Sequence, residues 1–142
     1  YDPQSNTGSH AGWHFNFPSG SGEMVVSNPF IMDGEAIFVT NKITSSVCRG
    51  GGSSYLYLLD ACSGGAPEQA QFDTNNDDVV NDDDTVDFSG GEGRPSGKAY
   101  DNIIYRPTPI SDILYTVDTY GNLDTSKKES NPAGVMYWRL IE

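Results

Sequence analysis

The chain has 142 residues and a net charge of −12 at pH 7, because eight Lys and Arg face twenty Asp and Glu. Nucleic acids and anionic lipid surfaces are bound through clustered Lys and Arg, so this charge argues against both as partners. No run approaches the ~18–20 apolar residues of a membrane span. Sixteen Gly and eight Pro interrupt the apolar residues at short intervals, which disfavours long helices and predicts an all-β fold.

The N-terminal residues differ in character from the rest of the chain. Residues 1–12 are polar and rich in Gly, Ser and Asn, which predicts a flexible segment ahead of a single β domain over residues 13–142. Residues 1–17 lack the basic start and apolar middle of a signal peptide. If the protein is exported, we therefore expect that its leader has been removed.

Three short patterns predict strands. Aromatic residues alternate with polar ones at Trp13, Phe15 and Phe17, which is the period of a strand with one buried face. Asp33-Gly34 separates two apolar runs, and Gly supplies the positive φ of a tight hairpin turn, so a hairpin is predicted there. Residues 55–59 are apolar at every position. Both faces of that strand should therefore be covered, as in stacked sheets.

The second half of the chain contains an insertion and a weak repeat. Residues 67–97 are acidic and poor in apolar side chains, which predicts an inserted loop. Residues 102–117 repeat the layout of residues 24–40, and residues 135–140 predict a last strand. We expect antiparallel four-stranded units like the blades of a β-propeller. The units span about 13–66 and 98–142. A propeller needs at least about four blades, so the chain either ends a longer propeller or closes in another way, such as a small sandwich.

Cys48 and Cys62 are the only cysteines. A disulfide between them would close a loop of about 15 residues and contribute roughly 3 kcal/mol in the chain-entropy model. Such a bond suits an oxidising compartment. Neither cysteine has the close partner spacing of a zinc or redox motif. We expect the disulfide, with two free buried thiols in a cytoplasmic protein as the alternative.

The most specific chemical signal is an acidic loop that begins at Asp73. Oxygen-bearing side chains occupy loop positions one, three, five, nine and twelve, and Ca²⁺ takes six to eight oxygen ligands. The predicted ligands are the side chains of Asp73, Asn75, Asp77, Asn81 and Asp84 and the carbonyl of Val79, with Asp82 as a further candidate. Position six is Asp78, where Gly usually makes the sharp turn. The alternative is a solvated acidic loop without metal.

Catalytic patterns are weak. His10 and His14 have no Cys or Asp partner at ligand spacing, and no Ser lies in a Gly-x-Ser-x-Gly elbow followed by Asp and His. Acidic pairs for glycoside cleavage are possible in so acidic a chain, but nothing marks one pair. We expect that the protein is not an enzyme.

Several segments together carry a family resemblance. They are Glu-Met-Val-Val-Ser-Asn-Pro, Cys-Arg-Gly-Gly-Gly-Ser-Ser-Tyr-Leu-Tyr-Leu-Leu-Asp-Ala-Cys, the Phe-Asp-x-Asn-x-Asp loop, Ile-Ile-Tyr-Arg-Pro and the closing Tyr-Trp-Arg-Leu-Ile. From Trp13 onward, most of the chain resembles the C-terminal propeller region of the PilC/PilY type IV pilus tip adhesins.

This resemblance implies a partial, quinoprotein-like propeller with Ca²⁺ at Asp73, Asn75, Asp77 and their neighbours. It implies export through the periplasm of a Gram-negative-type bacterium to the pilus or cell surface, with roles in pilus assembly, surface attachment and twitching motility. The implied partners are minor pilins, reached by strand addition at an exposed edge, and an N-terminal part of the same protein. The alternatives are a fragment of a quinoprotein-like propeller enzyme and a calcium-stabilised domain that binds surface or host glycans.

Overall fold

The computed structural model describes residues 12–17, 19–43, 51–111 and 113–127. These residues form ten β-strands and no helix, which confirms the all-β prediction for this part of the chain. The strands are β1 Glu23–Val25, β2 Phe30–Met32, β3 Glu35–Ile43, β4 Gly52–Asp60, β5 Val86–Phe88, β6 Gly91–Gly93, β7 Gly97–Tyr100, β8 Thr108–Ile110, β9 Ile113–Val117 and β10 Leu123–Lys127. No described segment is a helix long and apolar enough to cross a membrane.

The strands form three antiparallel sheets. The first has five strands in the order β1-β3-β4-β7, with β2 pairing beside β1 on the same edge of β3. The second has the order β10-β9-β8, and the third is the two-stranded pair β5-β6. Strand β7 follows the long insertion and pairs with β4, so the first sheet takes a strand from beyond the insertion. Among the described strands, none of these sheets closes on itself.

The hairpin predicted at Asp33-Gly34 is confirmed. Strands β2 and β3 pair through Met32 and Glu35, which leaves Asp33 and Gly34 as a two-residue loop. Both loop residues have positive φ, 51° and 83°, as a type I′ turn requires. Asp tolerates this conformation better than most residues with a side chain, so the Asp-Gly pair fixes the register of the strands on either side.

The hydrophobic core lies between the first and second sheets. The seven buried residues that form it are Ile37, Val39, Leu56, Leu58, Phe72, Ile104 and Leu114. Four come from β3 and β4, Leu114 comes from β9, and the other two lie in connecting segments. Ile104 is also tied to the first sheet, because its N–H donates to the Ser54 hydroxyl oxygen at 3.0 Å. The stacking predicted for residues 55–59 is therefore confirmed for this face of β4.

Aromatic rings cover part of the other face of the first sheet. The Phe38 and Tyr57 rings stack with their centroids 5.1 Å apart, and the Phe15 ring lies 6.1 Å from Phe38. The strand predicted at Trp13 to Phe17 is wrong, because residues 12–17 form no strand. Their aromatic alternation has a different cause, since the rings of this segment pack on the sheet and on one another. Trp13 is fixed further by a hydrogen bond from its indole N–H to the Ala61 carbonyl, 3.0 Å long.

Other sequence predictions differ from the structure or lie outside it. In residues 102–107 only Ile104 makes a β-bridge, to Asp118, so no strand matches this part of the predicted repeat. The predicted last strand at residues 135–140 lies outside the described residues. Cys62 is exposed and forms no disulfide with a described residue. Its predicted partner, Cys48, lies outside the described residues, so the disulfide stays a prediction.

Asp118 organises the turn between β9 and β10. Its Oδ1 accepts the backbone N–H groups of Tyr120 and Asn122, both at 2.9 Å. Its Oδ2 accepts the side-chain amides of Asn102 at 2.9 Å and Asn122 at 2.8 Å. These hydrogen bonds, led by the one from the Asn122 side chain, outweigh desolvation and hold the pKa of Asp118 below its ordinary value of 3.8. The Asp118 carboxylate therefore holds the chain in the turn that joins the two strands.

Replacing Leu56 by Ala tests the core. Leu56 is fully buried, so we expect Leu56→Ala to lower the free energy of unfolding by about 2–5 kcal/mol, measured by urea denaturation. Ile110→Ala is the control, because Ile110 is exposed and its truncation should change the value by at most about 0.5 kcal/mol. Equal losses in the two variants would contradict this core.

Asp118 should make stability depend on pH. Because its folded pKa is lowered, its contribution is complete above the unfolded pKa and is lost as pH falls through the folded pKa. We expect Asp118→Asn to lower the unfolding temperature at pH 7, and the difference from the unmodified protein to shrink on acidification. Asp101→Asn, at an exposed carboxylate, should show neither effect. A difference that does not depend on pH would exclude Asp118 as the titrating group.

Candidate metal centre

The core fixes the start of the acidic loop. Ala70, Gln71 and Phe72 are all buried, and Phe72 belongs to the core cluster. Asp73 follows directly and is partly exposed. The chain thus passes in one step from the core to the first predicted ligand, so the position of Asp73 depends on packing between the sheets.

Within the loop, polar side chains turn the backbone at regular intervals. The Asn75 Oδ1 accepts the N–H of Asp77 at 3.0 Å, and the Asp77 Oδ1 accepts the N–H of Val79 at 2.8 Å. The Asn81 Oδ1 accepts the N–H of Asp83 at 2.6 Å. Each is an Asx turn, in which a side-chain oxygen accepts from the backbone two residues later. Alternate residues are therefore held by the same local interaction.

Asp73 closes the first half of the loop. Its two carboxylate oxygens accept the backbone N–H groups of Asn76 at 2.6 Å and Asp78 at 2.9 Å. Asn76 and Asp78 have positive φ, 61° and 64°. Position six of the loop therefore makes the sharp turn for which calcium loops use Gly, here with an Asp. This departure from the usual motif is accommodated by the backbone.

Asp84 joins the two ends of the loop. Its Oδ1 accepts the backbone N–H of Thr74 at 2.7 Å and the Thr74 hydroxyl at 3.2 Å. Its Oδ2 accepts the N–H of Asn81 at 2.8 Å, and the N–H of Asp84 donates back to the Asn81 carbonyl at 3.1 Å. The bond from the Asn81 N–H to the Asp84 side chain corresponds to one half of a capping box. Together these hydrogen bonds enclose the second half of the loop and link it to the first.

The Asp84 carboxylate is fully buried, with 0% of its surface exposed. Burial raises its pKa, but the hydrogen bonds from Thr74 and Asn81 outweigh burial and hold the pKa below its ordinary value. The residue is therefore ionised at neutral pH. Among the described residues Asp84 makes no ion pair, since the two that occur are Arg94 with Asp82 and Lys98 with Asp124. Buried charges in proteins are usually paired or bound to metal, so a nearby cation would offset this one.

Not all predicted ligands are brought together. In the parts of the chain that the structure describes, no three His, Cys, Asp or Glu side chains gather into a group that could hold a metal ion. Asn75 and Asp77 are in contact, with the Asn75 amide donating to the Asp77 Oδ2 at 3.2 Å. Asp82 is highly exposed and pairs with Arg94 at 2.6 Å, which disfavours it as a ligand. The predicted ligands fit Ca²⁺ in donor type, spacing and turn geometry. Their carboxylates do not converge on one point in this structure.

A cleft of about 320 Å³ opens beside the loop. Asp73, Asn76 and Asp78 line it from the loop, and Lys98 and Ser126 line it from the two sheets. Solvent in this cleft therefore meets the side chains of the loop's first half. An ion that enters the cleft would meet Asp73 first, because Asp73 lines the cleft and Asp84 does not.

Sequence reasoning missed the role of Thr74. This residue supplies two of the hydrogen bonds to Asp84 and was not among the predicted site residues. The spacing of Asn81 and Asp84 matches that of a capping box, and this signal could have predicted that Asp84 bonds to the backbone. No comparable pattern identifies Thr74, because its contact with Asp84 spans ten residues.

Comparisons of the chain with protein-family models, curated proteins and solved structures found no match. The resemblance to pilus tip adhesins therefore stays a prediction from the sequence. The functional argument depends on the acidic loop and on the surfaces of the two main sheets.

Replacing Asp84 tests its role as the link between the loop ends. We expect Asp84→Asn to lower the free energy of unfolding by about 1–3 kcal/mol in chelator, because an amide placed there leaves a buried donor facing other donors. Asp83→Asn is the matched control, since Asp83 is adjacent and exposed, and it should change stability by at most about 0.5 kcal/mol. Measurement by urea denaturation without metal separates this effect from ion binding. If both variants are equally stable, Asp84 does not join the loop ends.

Proposed function

We propose that this protein is a calcium-binding structural and adhesive module of an extracellular filament, similar to the tip adhesins of type IV pili. The observation that carries the calcium assignment is the loop from Asp73 to Asp84. Its oxygen-bearing residues have the spacing of a calcium loop, its sixth position makes the required sharp turn, and its last position is a buried carboxylate without an ion-pair partner among the described residues. The proposed ligands are Asp73, Asn75, Asp77, Val79, Asn81 and Asp84.

Electrostatics supports a cation at this loop. Seven carboxylates lie between Asp73 and Asp87, and among the described residues only Arg94 pairs with one of them. Crowded like charges destabilise the folded loop unless a cation offsets them. A bound Ca²⁺ would supply that charge and would stabilise the folded state by mass action, since the unfolded chain holds no formed site.

Several observations support a binding role on a filament. The path β1-β3-β4-β7 has four strand positions, the number in a propeller blade. The outer face of this sheet carries exposed apolar side chains, which suit contact with another polypeptide. Together with the sequence resemblance, these features favour a non-enzymatic adhesin module whose partners are minor pilins and an N-terminal part of the same protein. The proposed location is the extracellular pilus or cell surface.

Calcium should raise the thermal stability of the protein. We expect Ca²⁺ to raise the unfolding temperature by several degrees relative to chelator, because the ion binds the folded loop and offsets its charge. Mg²⁺ should have a much smaller effect, since it demands near-ideal octahedral geometry. Asp77→Ala should abolish the shift. Asp87→Ala removes an exposed carboxylate on β5, outside the proposed ligand set, and should retain it.

Two results would contradict the calcium assignment. One is an unfolding temperature that neither metal changes. The other is an equal loss of the calcium shift in Asp77→Ala and Asp87→Ala, which would indicate that the ion only screens the net charge. In either case the loop is a solvated acidic segment.

A further inference from the structure

The outer face of the first sheet is only partly covered. Phe15 lies against Tyr57, with ring centroids 5.9 Å apart, and packs edge-on against Phe17 at 5.3 Å. Phe15 itself is still 42% exposed. An aromatic layer that covers one face of the core sheet thus continues to the protein surface.

An apolar cleft of about 540 Å³ lies in this layer. Its walls include Trp13, Phe15, Phe30, Ile31 and Phe38. Apart from His14, every side chain described as lining the cleft is apolar, except for the indole N–H that already donates to the Ala61 carbonyl. The volume lies in the range of ~300–1,000 Å³ that is typical of binding pockets. The cleft therefore suits apolar groups, which need few hydrogen-bond partners.

Exposed apolar side chains extend the cleft to the edge of the sheet. Val25 on β1 is 44% exposed and Ile31 on β2 is 71% exposed. Both lie on the same face as Phe38, because they pair with Thr40 and Ala36 of β3. Strands β1 and β2 form this edge beside β3. Large contiguous apolar patches mark interaction sites on soluble proteins. Because the cleft continues into a strip along β1 and β2, the surface suits a polypeptide segment better than a compact small molecule.

Charge narrows the choice of partner. Asp33 is exposed in the turn between Ile31 and Ala36, two residues that line the cleft, so this end of the cleft is acidic. Lys42 shares this face and lies opposite Glu23 on β1. Arg106 instead stacks at 4.7 Å on Phe30, whose ring packs against the core. A second copy of this chain would bring another net charge of −12, which opposes self-association. A partner with Lys or Arg at the acidic end complements this charge.

We propose that the cleft binds an apolar segment of another polypeptide, with aromatic or large aliphatic side chains in the cleft and Lys or Arg beside Asp33. The inference names the partner-binding surface of the proposed filament module, but it does not depend on the calcium loop. The proposal requires that partner side chains insert into the cleft, with or without calcium. Peptide binding is therefore measured both in calcium and in chelator. Binding in both conditions would support the cleft even if the calcium assignment were wrong.

The probe is a displayed library of short random peptides, selected in parallel on the unmodified protein, on Ile31→Asp and on Ile110→Asp. Ile31 lines the cleft, whereas Ile110 is similarly exposed on β8 in the other sheet, so the two variants carry matched changes. Peptides enriched on the unmodified protein should combine aromatic or aliphatic residues with Lys or Arg. Their synthetic forms should bind Ile31→Asp at least about tenfold more weakly and Ile110→Asp with unchanged affinity.

Two further measurements locate the bound peptide. Backbone amide NMR signals of Ala36 and Ala61 should shift on titration, and Asp33→Asn should weaken binding of the basic peptides while keeping the turn, since Asn also tolerates positive φ. Thermal unfolding of Ile31→Asp should match that of the unmodified protein, which excludes misfolding as the cause of lost binding.

Several outcomes would overturn the proposal. The first is enrichment of peptides without basic residues. The second is equal binding to Ile31→Asp and Ile110→Asp. A third is a concentration-dependent dimer of the unmodified protein that Ile31→Asp dissociates, since it would show that a second copy occupies the face. Absence of any enriched peptide in both calcium and chelator also contradicts it.

Discussion

Nine consecutive residue pairs join β3 to β4, from Glu35 opposite Asp60 to Ile43 opposite Gly52, and the first sheet and the hydrophobic core are built on this ribbon. One face supplies the core residues that pack against the second sheet, and the other face supplies the rings under the N-terminal segment. Because side chains alternate between faces along a strand, a shift of one residue would exchange the two sets. The two-residue turn at Asp33 and Gly34 sets the register of β2 against the same strand.

The acidic loop depends on this ribbon through Phe72. That side chain packs in the core beside residues of β3 and β4, and Asp73 follows it directly. The loop then returns to its starting point through Asp84, whose carboxylate accepts hydrogen bonds from Thr74. Arg94, which pairs with Asp82, also donates to the Glu68 carbonyl. Arg94 therefore links the segment that follows the loop to the segment that precedes it. Packing, hydrogen bonds and one ion pair therefore hold a loop that is rich in like charges.

Interactions between neighbours in sequence were predictable. The Asp-Gly turn and the fully apolar strand at residues 55–59 depend on local rules, and both agree with the structure. The spacing of oxygen-bearing residues indicated which loop to inspect, and the Asx turns at Asn75 and Asp77 show how those side chains are used. The sequence also marked Asp78 as a departure from the usual motif, and its positive φ explains how an Asp serves there.

Interactions between distant residues were not predictable from pattern. The alternation at Trp13 to Phe17 resembled a strand, but its rings find partners on Phe38 and Tyr57, and periodicity does not distinguish ring packing from backbone pairing. The pairing of β7 with β4 crosses the whole insertion, so no local signal reveals it. The contact between Asp84 and Thr74 is of the same kind, because it spans ten residues, and the sequence predicted Asp84 only as a metal ligand.

The fold thus presents two chemically different surfaces, an acidic loop beside the core and an apolar cleft on the outer face of the first sheet. A calcium ion at the loop would neutralise charge close to Phe72. The cleft is the surface that we propose binds a partner polypeptide. The most direct test of this account is a crystal structure of the protein grown with calcium, with the ion located by anomalous scattering. The account predicts one peak at about 2.3–2.6 Å from oxygens of the six proposed ligands, which are Asp73, Asn75, Asp77, Val79, Asn81 and Asp84. An ordered loop without a peak at these residues, at a calcium concentration far above the micromolar range, would contradict it.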